Sequence, residues 1–318
     1  MIEHKSLRGF LLIVVSLGLA FFISYYIAGK DRAYNVSDNA SLDFGGIKRT
    51  YRVHVSTSYD GTKPVPLLLV FHGLGGSGRE MEVATGFNEL SDRRGFLVVY
   101  PDGYEASWAD GSGATPAGRA GVDDVGFVSA LIDKLGNEFR IDSGRVYATG
   151  YSNGGMFVQR LACELSQKIT AVASVAGTMA EKLSTSCNPG RAVSVMHVHG
   201  TEDSIVPWQG GEVRGVGISG WRILSIPTTV SKWSDINGCP KSSEEDYIAS
   251  NNRAVKRETY SGCRDSTDVV LYGIIGGGHN WPRLMKRTKL TESHSSEAGT
   301  EIYAEELIWN FFEKYSKK

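Results

Sequence analysis

The chain is short of cysteine and of net charge, and both shortages exclude functions. Its 34 Lys and Arg against 35 Asp and Glu leave a formal charge of −1, so no basic excess is available to hold nucleic acid. The four cysteines, Cys163, Cys187, Cys239 and Cys263, contain no C-x-x-C spacing, which excludes a zinc ribbon or dithiol redox motif. An even number of cysteines predicts two disulfides and an oxidising compartment. Proximity in sequence favours Cys163 with Cys187 and Cys239 with Cys263, although four cysteines leave the connectivity open. Internal repeats, low-complexity linkers and long runs of one charge are all lacking, so a second folded domain is not expected. His197-x-His199 has no cysteine or carboxylate set to complete a metal site, and reads as a pair of packed strand histidines. The chemistry predicted below calls for no metal and no organic cofactor.

One long apolar run breaks the pattern. From Gly9 to Gly29, after Lys5 and Arg8, the chain is uncharged and long enough to span a bilayer. Gly18-Leu19-Ala20 resembles a cleavage site, yet the hydrophobic run continues past it through Ile27, which predicts an uncleaved signal anchor. The predicted layout is a basic flank over 1–8, a membrane-spanning helix over 9–29, a linker over 30–41 and a catalytic domain over 42–318. That domain would lie outside the cytoplasm, anchored to the membrane, or be secreted if the run is cleaved. Asn35-Val36-Ser37 and Asn39-Ala40-Ser41 are glycosylation sequons in the linker. From Leu42 onward strand-like and helix-like stretches alternate, ending in a helix at about 300–315, which predicts a mostly parallel sheet covered on both faces.

Gly150-Tyr151-Ser152-Asn153-Gly154-Gly155 matches the G-x-S-x-G elbow, in which glycines let the backbone turn sharply from strand to helix and lift a serine above the sheet. Arg145 to Thr149 reads as the strand and Gly155 to Ala162 as the helix. A hydroxyl is a poor nucleophile, so such a serine needs a histidine base, an acid to orient it and donors for the oxyanion. In chain order the acid follows the serine and the histidine comes last. Asp203 stands just past the apolar strand 192–198, and His279 follows the strand 269–275 on a glycine-rich loop. Upstream, the doubly buried strand Leu67 to Phe71 runs into His72-Gly73-Leu74-Gly75-Gly76, an oxyanion-loop pattern. The backbone N–H groups of Leu74 and Asn153 are the expected oxyanion donors, each supplying on the order of 3 kcal/mol to the transition state.

Other readings compete. Gly73-x-Gly75-x-x-Gly78 is also a dinucleotide fingerprint, with Asp102 spaced to bind a ribose, but that reading leaves Ser152, Asp203 and His279 unexplained. Asp123-Asp124 is expected to cap the helix that follows. Trp108, Trp208 and Trp281 fall near carboxyl ends of strands and are candidates for pocket lining. The segment Gly210 to Gly220 is expected to be a long surface loop rather than a lid.

Phe71 to Gly76, Val99 to Gly103, Val122 to Phe127, Arg145 to Met156, His199 to Asp203 and Gly276 to Pro282, in that order, resemble the extracellular esterases that include poly(3-hydroxybutyrate) depolymerases and feruloyl esterases. The resemblance implies the α/β-hydrolase fold, with Ser152, Asp203 and His279 as serine, acid and base, and both nearest-neighbour cysteine pairs as disulfides. It implies a serine esterase for short-chain, hydroxyalkanoate or feruloyl and acetyl-polysaccharide esters. No Ser/Thr-rich linker or adsorption domain follows the catalytic domain, so degradation of solid polyester is not expected. An amide or peptide hydrolase would use the same triad, and a membrane-anchored binding protein could retain the fold without the chemistry.

Overall fold

The computed structural model describes residues 40–240, 244–250, 253–282 and 303–317. The predicted anchor over 9–29, its flank, the first sequon and Asn39 of the second lie outside the described residues, and among the described residues no helix is long and apolar enough to cross a membrane. The first strand begins at Ala40, where pairing of Ala40 with Tyr51 draws the last two residues of the predicted linker into the sheet.

The strands are β1 (Ala40–Phe44), β2 (Ile47–Val55), β3 (Val65–Phe71), β4 (Leu97–Pro101), β5 (Ile141–Tyr151), β6 (Ala171–Val175), β7 (Ser194–Gly200), β8 (Gly211–Glu212), β9 (Arg222–Ile223), β10 (Glu244–Ser250), β11 (Arg253–Tyr260) and β12 (Val269–Ile274). All but β8 and β9 form one sheet in the order β1-β2-β4-β3-β5-β6-β7-β12-β11-β10. The central strands β4, β3, β5, β6, β7 and β12 run parallel, with antiparallel β2 and β1 on one edge and β11 and β10 on the other. This is the mostly parallel sheet of an α/β-hydrolase-like fold.

Alternation along each strand divides the core in two. Leu67, Leu69 and Phe71 of β3 face one side, packed with Phe127, Leu131, Phe157, Leu161 and Trp233 from the helices Asp124–Glu138, Asn153–Glu164 and Ile226–Ile236. Leu68 and Val70 face the other, with Met81, Phe87, Leu90, Ile308 and Phe312 from Gly78–Thr85, Phe87–Arg94 and Ala304–Phe312. Both faces are covered, so the strand is apolar throughout; each fully buried Leu or Phe contributes about 2 kcal/mol. The chain leaves β3 toward β4 and then crosses back over it to β5, so connections diverge at the carboxyl ends of β3 and β5. That divergence opens the crevice where α/β sheets take their ligands.

Disulfides Cys163–Cys187 and Cys239–Cys263 fasten the ends of two of these helices to neighbouring loops. The segment 210–223 forms a two-stranded ribbon, β8 with β9, over a small core of Met156, Val206, Val213, Trp221 and Ile223. Of the expected capping pair, Asp123 caps the helix by accepting the Gly126 N–H. Asp124 instead turns inward, 2.8 Å from Arg49 with both side chains buried, and accepts the Ala109 N–H. The Arg49 guanidinium lies 4.1 Å above the Phe127 ring. Burial pushes the Asp124 carboxyl up, against the pull of the Ala109 amide and Arg49.

A buried pair of this kind is costly to break and cheap to replace. Arg49→Met should therefore lose about 3–5 kcal/mol in urea denaturation, whereas Arg49→Met with Asp124→Leu should recover most of that loss. Additive losses in the double variant would show that the two charges do not depend on each other.

Candidate active site

The elbow is built as its glycines require. Ser152 sits at φ 54° and ψ −117°, between β5 and the helix Asn153–Glu164. A non-glycine residue there stores about 1–3 kcal/mol of strain, which the surroundings hold in place. The Ser152 N–H donates to the Val175 carbonyl, and the Ser152 carbonyl accepts from the Met156 N–H. A Cβ on Gly150 would lie 2.4 Å from the Gly154 backbone, and one on Gly154 2.4 Å from the Phe71 carbonyl oxygen. Only glycine lets β3, β5 and the helix approach so closely.

Three strand ends bring the polar groups together. His279 Nε2 lies 3.0 Å from Ser152 Oγ, and His279 Nδ1 lies 2.8 Å from Asp203 Oδ2. Asp203 Oδ1 accepts the N–H groups of Ile205 and Val206 at 2.9 and 2.8 Å. Burial alone would raise the Asp203 carboxyl, but His279 and the Val206 amide outweigh it and hold the group below the usual carboxylate range. The acid loop and the histidine loop are also joined to each other. Glu202 N–H donates to the Gly277 carbonyl and Gly276 N–H to Thr201 Oγ1. Tyr151 donates its hydroxyl to the His279 carbonyl at 3.0 Å; burial and the Asp203 charge push its phenol up to about 12.

The loop 72–76 abuts the elbow: a Cβ on Gly73 would fall 3.3 Å from Ser152 Cβ. The Gly75 and Gly76 amides are committed to the Ala106 and Gly73 carbonyls, while Leu74, the expected donor, lines the cleft beside the elbow. Asn153, at the first helical position, offers an amide that has no acceptor within its own helix. The buried His72 fixes this loop. Its Nε2 accepts the Gly103 N–H at 2.9 Å and its Nδ1 donates to the Gly73 carbonyl at 2.7 Å. Those two bonds require a neutral ring, and burial pushes the imidazole pKa down accordingly.

The arrangement can pass a proton from a hydroxyl to an imidazole held by a buried carboxylate, with amide dipoles beside the oxygen. A cleft of about 390 Å³ opens next to this constellation, walled by the 72–76 loop, Met81 and Ala84 and by Tyr151, Asn280 and Trp281, the chain neighbours of Ser152 and His279. A larger hollow of about 820 Å³ lies at the amino-terminal ends of the strands, lined by Lys168, Arg191 and Lys317 among others, and includes none of these groups.

Several sequence-based expectations resolve differently. Trp281 walls the cleft, against Phe87. Trp108 does not: it is fully buried, stacked on Phe157 and edge-on to Phe71, with its indole N–H on the His72 carbonyl. Its loop turns inward because the Asn153 side chain clamps it, accepting the Trp108 N–H and donating to the Trp108 carbonyl. Trp208 packs behind the acid loop, against His199, away from the cleft. Asp102 is not free for a ribose, because it accepts the Gly78 N–H and the Thr50 hydroxyl and so secures the helix after the loop. His197 and His199 are both buried; His197 meets Gln159 and His199 the Val206 carbonyl. Among the described residues no group of three or more His, Cys, Asp or Glu side chains is placed to hold a metal ion. The side-chain roles of His72, Asn153 and Asp110 carry no motif signal. Asp110, wholly buried, takes the Trp221 indole N–H at 2.8 Å and two bonds from Ser112, tying the 210–223 ribbon to the loop beside Asn153.

The family model described as Esterase PHB depolymerase matches residues 56–207. The chain is similar to the putative esterase NocK of Nocardia uniformis subsp. tsuyamanensis, 31% identical over 247 residues that cover 74% of this chain and 72% of that protein. It is 27% identical over 233 residues to feruloyl esterase B of Piromyces equi, covering 71% of this chain and 42% of that longer protein. Among solved structures, the acetyl xylan esterase from Aspergillus awamori superposes with a TM-score of 0.56 at 15% identity, over 78% of this chain and 96% of that one, a likeness of fold.

His72 makes the geometry testable by pH. Its folded pKa lies below the unfolded value of 6.5, so the unfolded chain binds the extra proton first and stability is lost as pH falls below that value. The stability of wild type minus that of His72→Gln, from denaturation at pH 7.5 to 5, should shrink by up to about 1.4 kcal/mol per pH unit below 6.5. Parallel curves would show that His72 takes up its proton in the folded state.

Proposed function

Because this chain belongs to the Esterase PHB depolymerase family and is an esterase of the serine-hydrolase type, we propose that Ser152, His279 and Asp203 form its catalytic triad and act through an acyl-enzyme. The observation that carries this reading is the continuous chain of contacts from Ser152 Oγ to His279 to the buried Asp203 carboxylate. His279 Nε2 takes the Ser152 proton as Oγ attacks the ester carbonyl, and Asp203 holds the imidazolium that forms. The carbonyl oxygen, now negative, is held by the N–H groups of Asn153 and Leu74. The tetrahedral centre collapses, the carbon–oxygen bond to the alcohol breaks, and the alcohol leaves with the proton from His279. Water, deprotonated by the same histidine, then attacks the acyl-serine and releases the carboxylic acid.

The cleft supports small ester groups with an apolar or aromatic body. Its size is that of a small-molecule site, and Leu74, Met81, Ala84, Tyr151 and Trp281 supply apolar walls. The proposed substrates are short-chain, hydroxyalkanoate, or feruloyl and acetyl-polysaccharide esters; the names of the feruloyl and acetyl xylan esterase relatives support the last group. Two disulfides support a catalytic domain outside the cytoplasm, where the apolar run 9–29 would anchor it or direct its secretion.

Ser152→Ala should fold as wild type and lose turnover by a factor on the order of 10⁶ on acetyl, butyryl, 3-hydroxybutyryl and feruloyl chromogenic esters, whichever the wild type prefers. Turnover retained in this variant would remove Ser152 as the nucleophile. A folded wild type that neither turns over these esters nor reacts with a serine-directed phosphonate would remove the hydrolase reading itself.

A further inference from the structure

Asp203 has a second histidine on the oxygen that faces His279. Strand β7 ends in His199-Gly200, and the His199 ring, buried, places Nε2 2.8 Å from the Val206 carbonyl oxygen and 3.3 Å from Asp203 Oδ2. A carbonyl can only accept, so Nε2 carries a proton, and burial, which pushes the imidazole pKa down, favours the neutral ring. Trp208 packs edge-on against this ring at 6.1 Å. The Val206 peptide is therefore held from both ends, its N–H by Asp203 Oδ1 and its carbonyl by His199. The turn that presents the acid cannot rotate without breaking one of these bonds.

We propose that His199 is a positioning residue for Asp203, its Nε2–H shared between the Val206 carbonyl and the carboxylate oxygen that orients His279. This deepens the triad reading and rests on it. Two consequences follow from sharing one acceptor oxygen. The additional donor helps keep the buried carboxylate ionised, which desolvation opposes. It also withdraws part of the negative charge that would otherwise stabilise the His279 imidazolium, so it moderates how strongly the base holds its proton. The titratable groups around the pair are His197 further down the strand, Tyr151 across the His279 loop, and Asp203 and His279 themselves. Burial keeps His197 neutral, its pKa pushed down to about 3, and Tyr151 neutral with its pKa pushed up to about 12. His199 is likewise held neutral by burial, against the Val206 carbonyl and the Asp203 charge.

The test compares wild type, His199→Phe and His199→Gln as full-length protein, with Ser152→Ala as the reference for the triad. His199→Phe fills the volume without a donor, while His199→Gln keeps an amide N–H within reach of the Nε2 position. His199→Phe should lower kcat about tenfold with KM nearly unchanged, the size of one charge-assisted hydrogen bond, and shift the acid limb of kcat/KM to higher pH by about half to one unit. His199→Gln should restore the limb toward its wild-type position. A folded His199→Phe with wild-type kcat and pH profile overturns the proposal, as does a His199→Gln profile displaced as far as that of Phe. If Phe prevents folding, the Gln profile together with its His279 Nδ1–H proton resonance decides: wild-type values support the shared donor, and values displaced in a folded, donor-bearing variant overturn it. Ser152→Ala that still turns over ester would instead overturn the triad reading.

Discussion

The site depends on one contact, the backbone-to-backbone approach that holds Ser152 in a left-handed conformation. The strain at φ 54° is maintained because β3, β6 and the helix after the serine close on it from three sides. Gly150, Gly154 and Gly177 are the points of closure, where an added Cβ would meet main-chain atoms at 2.4, 2.4 and 2.7 Å. Main chain cannot move aside as the tip of a side chain can, so the elbow is over-determined by the sheet beneath it. The same packing brings the 72–76 loop against the serine, and thereby sets where a developing negative charge would meet N–H donors.

Electrostatics takes over where backbone packing stops. Parallel β7 and β12 end side by side, with Tyr272 beside Val198 and Ile274 beside Gly200, so the acid and histidine loops emerge as neighbours. Their mutual bonds fix the Asp203–His279 distance, and the amides of Ile205 and Val206 supply what burial takes from the carboxylate. A buried anion with such donors keeps its charge and remains directional, which a solvated carboxylate would not. The imidazole it orients is nearly buried, 11% exposed, while the acid side chain is fully so.

The elbow and the approach of serine, acid and histidine, in that chain order, were legible because each needs particular residue types at fixed spacing. The parallel sheet was legible because strands buried on both faces carry continuous apolar runs. What escaped were side chains whose role depends on which way a loop turns. Trp108 sits in a segment that reads as cleft-forming, yet the Asn153 amide pulls it into the core. Asp102, spaced like a ribose ligand, is consumed by Gly78 and Thr50. His72 lies inside a motif whose glycines account for its spacing, so nothing in the pattern discloses that the ring itself braces the loop. The short ribbon of β8 and β9 was hidden in a glycine-rich stretch, because two-residue strands leave no periodicity to read.

These hidden roles share a physical basis. Behind the serine lies a continuous polar framework in an apolar core: Arg49 with Asp124, the Ala109 amide, Asn153 clamping Trp108, and Asp110 receiving Trp221. Paired polar groups in a core resist rearrangement, since most alternatives strand a further donor or acceptor; within this framework the hydrogen bonding is incomplete at Arg49 Nη1 and Asp124 Oδ1. The framework runs to the ribbon at 210–223, against whose small core Leu74 packs. On the proposed reading, changes at Met81 or Trp281 in the cleft would alter which ester fits, while the backbone around Ser152 stays as the framework holds it.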